Sequence, residues 1–292
     1  MKHALRYTGG SALIGGLLLF SCAQEPGPLS PNVVGEQATG PAVATRAAPG
    51  GTRSIRSAEA LAQTPVSVRL PDGRVAERRV HIFYKEGFSH KPNHPGGGGK
   101  GGDQCYAFIA SGARWKTTES YGLDPANQDG LADVGTRLEA SLNAWDDQIA
   151  FDLFGPNDPG LTIDGADTGT PDGKNEVLFG NIEDPGVIAV TITWGIFSGP
   201  PFARELVEWD MVLDDPDFAW GDAGPTSETT LGDISVMDFQ NIVTHEAGHA
   251  AGLGHPSDAC TEETMYRFAQ AGETKKRTLH AGDIAGIKAL YK

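Results

Sequence analysis

The chain has 292 residues, 21% of them charged, and a formal net charge of −15. That length allows one large domain with an extension, or two small domains. The charge is uneven, +6 over residues 1–102 and −21 over residues 103–292, so the acidic part lacks the positive face that phosphate contacts need and no nucleic-acid partner is expected.

The first element is a targeting signal. Lys2 and Arg6 precede the apolar run "SALIGGLLLF", which is too short to span a bilayer. Residues 19–22, "LFSC", resemble the bacterial lipobox. The resemblance implies a signal peptide over 1–21 and lipidation of Cys22. The chain would then be an exported lipoprotein in the periplasm or at the cell surface, or released outside, touching membrane only through that anchor. An ordinary secretory signal, with Cys22 a bystander, is the alternative. Residues 22–64 are rich in Pro, Gly, Ala, Ser and Thr and read as a disordered tether. Residues 65–88 alternate apolar and polar side chains around Pro-Asp-Gly, which predicts a β-hairpin. "HPGGGGKGG", 94–102, reads as a flexible linker. Segment 65–102 is therefore expected to be a small separate piece, either a pro-piece or a passive spacer, with the spacer preferred. The domain boundary is placed where the charge changes sign.

Within residues 103–292, "CYAFIA" (105–110), "AFDLF", "NEVLFG", "VIAVTITWG" (187–195) and "ELVEWDMVL" predict five strands. Val134, Leu138, Leu142, Trp145 and Ile149 recur at three- and four-residue steps and predict a helix over 131–150. Further helices are predicted over 235–252 and 281–292. This order predicts an α+β fold: a twisted mixed sheet of about five strands with three helices packed on it. Cys105 and Cys260, in an exported protein, point to a disulfide. Closing so long a loop stabilises by about 3–5 kcal/mol in the chain-entropy model.

The densest chemistry is "VTHEAGHAAGLGHP", 243–256. On a helix, His245 and His249 lie one turn apart on one face. Gly252 permits the left-handed conformation that ends a helix, so His255 can return as a third ligand. Three imidazoles with one open position make a catalytic zinc site, and Glu246 stands where it can act as general base and then acid toward the metal's water.

His245, Glu246, His249, Gly252 and His255 match the metzincin pattern HExxHxxGxxH, and the region is similar to matrixins. "MY" followed by "AGDIAGIKALY" carries the matrixin likeness; Pro256 and Arg267 depart from it. The resemblance implies a metzincin-like domain over 103–292 with a zinc cleft between upper and lower subdomains. It implies that Met265 forms the Met-turn beneath the zinc. It implies a monomeric zinc endopeptidase acting on protein or peptide substrates. Strand 187–195 is then either the edge that pins an extended substrate or an ordinary internal strand. Asp164, Asp167, Asp172, Asn175 and Glu176 crowd hard oxygens into a Gly-rich loop and are candidate calcium ligands, which the resemblance favours. Cys105 lacks the context of an inhibitory zinc-ligating cysteine, so a disulfide is preferred to a switch. Two other readings are a non-catalytic surface-binding lipoprotein on this fold and a zinc hydrolase of a non-peptide amide.

Overall fold

The computed structural model describes residues 51–88, 104–225 and 233–292. Cys22, the signal segment and residues 22–50 of the expected tether lie outside the described residues. Among the described residues no helix is long and apolar enough to cross a membrane.

Residues 51–64, expected to continue the tether, are folded. Strand β1 (Ser54–Ile55) leads into helix α1 (Ala58–Gln63), whose cap Ser57 accepts the Ala60 N–H at 3.2 Å. The predicted hairpin forms from β2 (Ser67–Arg69) and β3 (Val75–Lys85). Gly73 turns it with φ +87°, donating to Leu70 O at 2.9 Å. It is not a separate piece, however. β3 is a strand of the main sheet, so neither the expected boundary at 102–103 nor the spacer reading describes this fold.

The acidic part continues with β4 (Ala107–Phe108), β5 (Glu119–Asp124), α2 (Val134–Asp146), β6 (Phe154–Asn157), β7 (Glu176–Ile182), β8 (Val187–Ile196) and β9 (Glu205–Asp214). Short strands β10 (Trp220–Gly221) and β11 (Met237–Asp238) pair ahead of α3 (Phe239–Ala250). Then come β12 (Leu253–Gly254), β13 (Phe268–Ala269) and α4 (Ala281–Leu290).

The main sheet runs β13-β3-β8-β9-β7-β5-β6. β9, β7, β5 and β6 are mutually parallel, and β8 is antiparallel to β9 and to β3. This is the α+β, metzincin-like architecture, with two corrections. The strand expected at 105–110 shrinks to β4, which pairs with β12 outside the main sheet, and β5 takes its place. β8 is not an edge: β3 covers the side away from β9. Every residue of β8 is buried because strands flank both edges and side chains cover both faces.

One face of the sheet carries Ile188, Trp209, Met211 and Leu213, packed with Leu138, Leu142, Trp145, Phe239 and Ile242 of α2 and α3. The other carries Val80, Ile82, Val190, Ile192 and Trp194, covered by Ile55, Ala58 and Ala166. Side chains of this size contribute about 1.5–3 kcal/mol each when fully buried. β3 is thus held like a core strand rather than a loosely attached arm.

Candidate active site

Helix α3 begins at Asp238, whose carboxylate accepts the Asn241 N–H at 2.8 Å and pairs with Arg277. It ends at Ala251, followed by Gly252 at φ +100°. That backbone suits glycine, and an added Cβ would also meet Leu290 at 3.0 Å and Ala113 O at 3.1 Å. The chain therefore reverses through β12, pinned to β4, and carries His255 back toward the helix.

His255 Nε2 lies 3.1 Å from His245 Nε2 and 3.0 Å from His249 Nε2. His245 Nδ1 faces Thr264 O at 2.7 Å, and His249 Nδ1 faces Leu253 O at 2.8 Å. Carbonyls only accept, so each of these Nδ1 atoms carries the proton and each Nε2 presents a lone pair to the shared point. Burial, then the neighbouring His249, hold His245 well below the ordinary imidazole pKa, so it stays neutral as a ligand must. Three nitrogens about 2.0–2.1 Å from a tetrahedral ion stand about 3.3 Å apart. The observed spacing and the lone-pair orientation fit a divalent metal of the zinc class.

Glu246 is fully buried beside them. Its Oε2 accepts the Thr191 hydroxyl from β8, and its Oε1 has no hydrogen-bond partner. Burial pushes its pKa up to about 8, against the lowering pull of the Thr191 hydrogen bond. A carboxylate held by one oxygen, with the other unpaired next to converging imidazoles, is poised to exchange a proton with water.

Met265 is buried under α3. A Cβ at Gly248 would come within 2.2 Å of Met265 Sδ and 2.6 Å of Trp145 Cζ2. The glycine between the two helix imidazoles therefore lets the methionine seat directly against their turn. Asp283, which caps α4, accepts the Thr264 and Met265 N–H groups at 2.7 and 3.1 Å and fixes that turn. Sequence reasoning passed over Thr191, Gly248 and Asp283. A glycine in a helix interior, which costs about 1 kcal/mol, was the available signal for Gly248.

A family model described as Matrixin matches residues 193–292. Over those residues the chain is similar to matrixins. Matrilysin of Rattus norvegicus is 40% identical over 62 residues, 21% of this chain and 22% of that protein. Metalloendoproteinase 5-MMP of Arabidopsis thaliana is 37% identical over 68 residues, 23% and 18% of the two chains. Metalloendoproteinase 1 of Glycine max is 35% identical over 77 residues, 26% and 24%. The chain thus spans less than a quarter of the length of these relatives.

Cys105 and Cys260 are joined in a disulfide across a sequence separation of 155. It ties the segment before β4 to the loop after His255.

The candidate calcium residues do not form one site. Lys174 pairs with Asp164 and Asp172, Glu176 accepts the Asp164 and Gly165 N–H groups, and Asn175 bridges Ser120 O and Trp209 N. Of the five, only Asp167 joins a carboxylate cluster, with Glu208 and Asp210, whose side chains share a face of β9. All three are buried, and Asp167 Oδ2 and Glu208 Oε1 have no hydrogen-bond partner. Glu208 and Asp210 lie two apart in β9, and only the packing of that strand brings them to Asp167.

Proposed function

We propose that this chain is a zinc-dependent metalloendopeptidase. His245, His249 and His255 would hold the metal. When bound, zinc supplies Lewis acidity, polarising a carbonyl and making water acidic enough to react near neutral pH. Glu246 takes the water's proton at Oε1 and returns it to the departing amine, while Thr191 keeps Oε2 fixed. The observation that carries the reading is the convergence of three Nε2 atoms beside a buried carboxylate with one unpaired oxygen. A pure binding protein has no use for that carboxylate, and the matrixin likeness favours peptide over other amide substrates. The purified chain is expected to hold one zinc and to lose it on His249→Ala. Failure to bind zinc at micromolar metal, read by elemental analysis, would remove the basis of the proposal.

We also propose a hard cation of the calcium class at Asp167, Glu208 and Asp210. Without it, burial and the nearby Asp172 push Asp167 up to about 6, and burial and Asp210 push Glu208 up to about 10. The folded chain then holds protons more tightly than the unfolded one. The stability these two groups contribute is full below about pH 4 and is lost as pH rises through about 6 and toward 10. Calcium favours the ionised carboxylates, so it should raise the thermal midpoint more at about pH 8 than at about pH 5. An equal effect at both pH values would count against this site.

The disulfide adds to the charged apolar leader and the "LFSC" motif in supporting export, with lipidation at Cys22. The mass of the mature N-terminus decides between the lipid anchor and a plain signal.

A further inference from the structure

Two of the three converging imidazoles are stacked by rings from β3. Phe83 lies on His245, centroids 3.8 Å apart and 9° from parallel. His81 lies on His249 at 4.3 Å and 16°. The match follows from two repeats. Side chains two apart on a strand share a face about 6.6 Å apart, and four residues of helix rise about 6 Å. β3 runs against α3 in the opposite sense, so residue 83 meets 245 and residue 81 meets 249. Both stand in the regular part of the ladder to β8, ahead of the register shift after Phe83.

Each of these rings is itself held. Phe83 is fully buried, with the buried Lys276 Nζ 5.6 Å from its ring. Lys276 Nζ in turn donates to Phe268 O at 2.8 Å and pairs with Glu273. His81 Nε2 lies 3.3 Å from Thr193 Oγ1. The strand partner of His81 is Thr191, whose hydroxyl holds Glu246. The bonds to Thr264 O and Leu253 O anchor one nitrogen of each helix imidazole. An anchor at one atom lets a ring swing about that contact, whereas a flat neighbour fixes its plane. Groups that orient metal ligands in this way set metal affinity as well as geometry.

We propose that Phe83 and His81 are positioning residues of the metal centre. They hold the planes of His245 and His249 so that the two Nε2 lone pairs meet at one point. β3 does this as a permanent strand of the sheet. Both residues lie outside 193–292, the part similar to matrixins, so the centre depends on a segment that part does not include. The proposal rests on the reading of the three histidines as zinc ligands.

The test uses the full chain and three variants. Phe83→Leu and His81→Leu keep an apolar side chain but lose the flat face. His81→Phe keeps the face and loses the nitrogens. Zinc affinity, measured by competition with a chromophoric chelator, is expected to fall by about 10–100-fold in each Leu variant. His81→Phe should stay close to wild type. The visible absorption of the cobalt(II)-saturated chain should change in the Leu variants and be retained in His81→Phe, because it reports the geometry of the ligands. Leu variants with wild-type zinc affinity would overturn the proposal. So would a fall in affinity that only follows the thermal midpoint of the metal-free chain, with the cobalt spectrum unchanged. If Phe83→Leu fails to fold, the half-buried His81 pair decides. If the wild-type chain binds no zinc, the zinc reading itself falls and takes this one with it, an outcome distinct from wild-type binding that the Leu variants match.

Discussion

Glu246→Gln is expected to lower kcat/KM for peptide cleavage by about 10²–10⁴-fold, the usual contribution of a positioned general base. Gln keeps the shape and an oxygen for Thr191, but it cannot take a proton at the Oε1 position. Zinc content should not change, because the three imidazoles meet without Glu246. Thermal stability should hold or rise. The buried carboxylate, pushed up to about 8, is costly to ionise, and a neutral amide avoids that cost. Full activity in the Gln variant, measured with matched zinc occupancy, would refute the proton-transfer role.

Breaking the Cys105–Cys260 bridge, by Ala at both positions, is expected to cost about 3–5 kcal/mol in urea unfolding. The bridge closes 155 residues, so the unfolded chain gains a large share of conformational freedom without it. There is a local effect as well. The bridge anchors the loop that follows His255, and β12 alone offers only two paired residues to hold that return. Zinc affinity should therefore weaken with stability, more than for a bridge distant from the site. A double variant that unfolds at the wild-type urea midpoint and keeps wild-type zinc affinity would show that neither effect operates.

The convergence of the three histidines was readable because its geometry is local. His245 and His249 share a helix face by the helical repeat, Gly252 breaks the helix by its positive φ, and His255 follows within one short turn. The helices containing Leu138, Leu142 and Trp145, and Ile287 and Leu290, showed themselves through their periodic apolar faces. β5 was not legible: "ESYGLD" mixes charge and glycine, and its burial comes from β6 and β7. β8 was ambiguous for the opposite reason. A strand buried on both faces is apolar throughout, and nothing in such a run says what lies along its edge.

What this sequence determined by itself is the helix and turn that bring the three histidines together, the adjacent carboxylate and the likeness to matrixins, since these depend on residue spacing along one short segment. Only the tertiary structure decided that Asp167 joins Glu208 and Asp210, that Met265 seats on Gly248, and that β3 lies over the imidazoles. Those pairings join residues from about 20 to more than 160 positions apart in the chain. They are selected by the packing of whole strands and helices, because strand pairing depends on which edges and faces the rest of the fold leaves open.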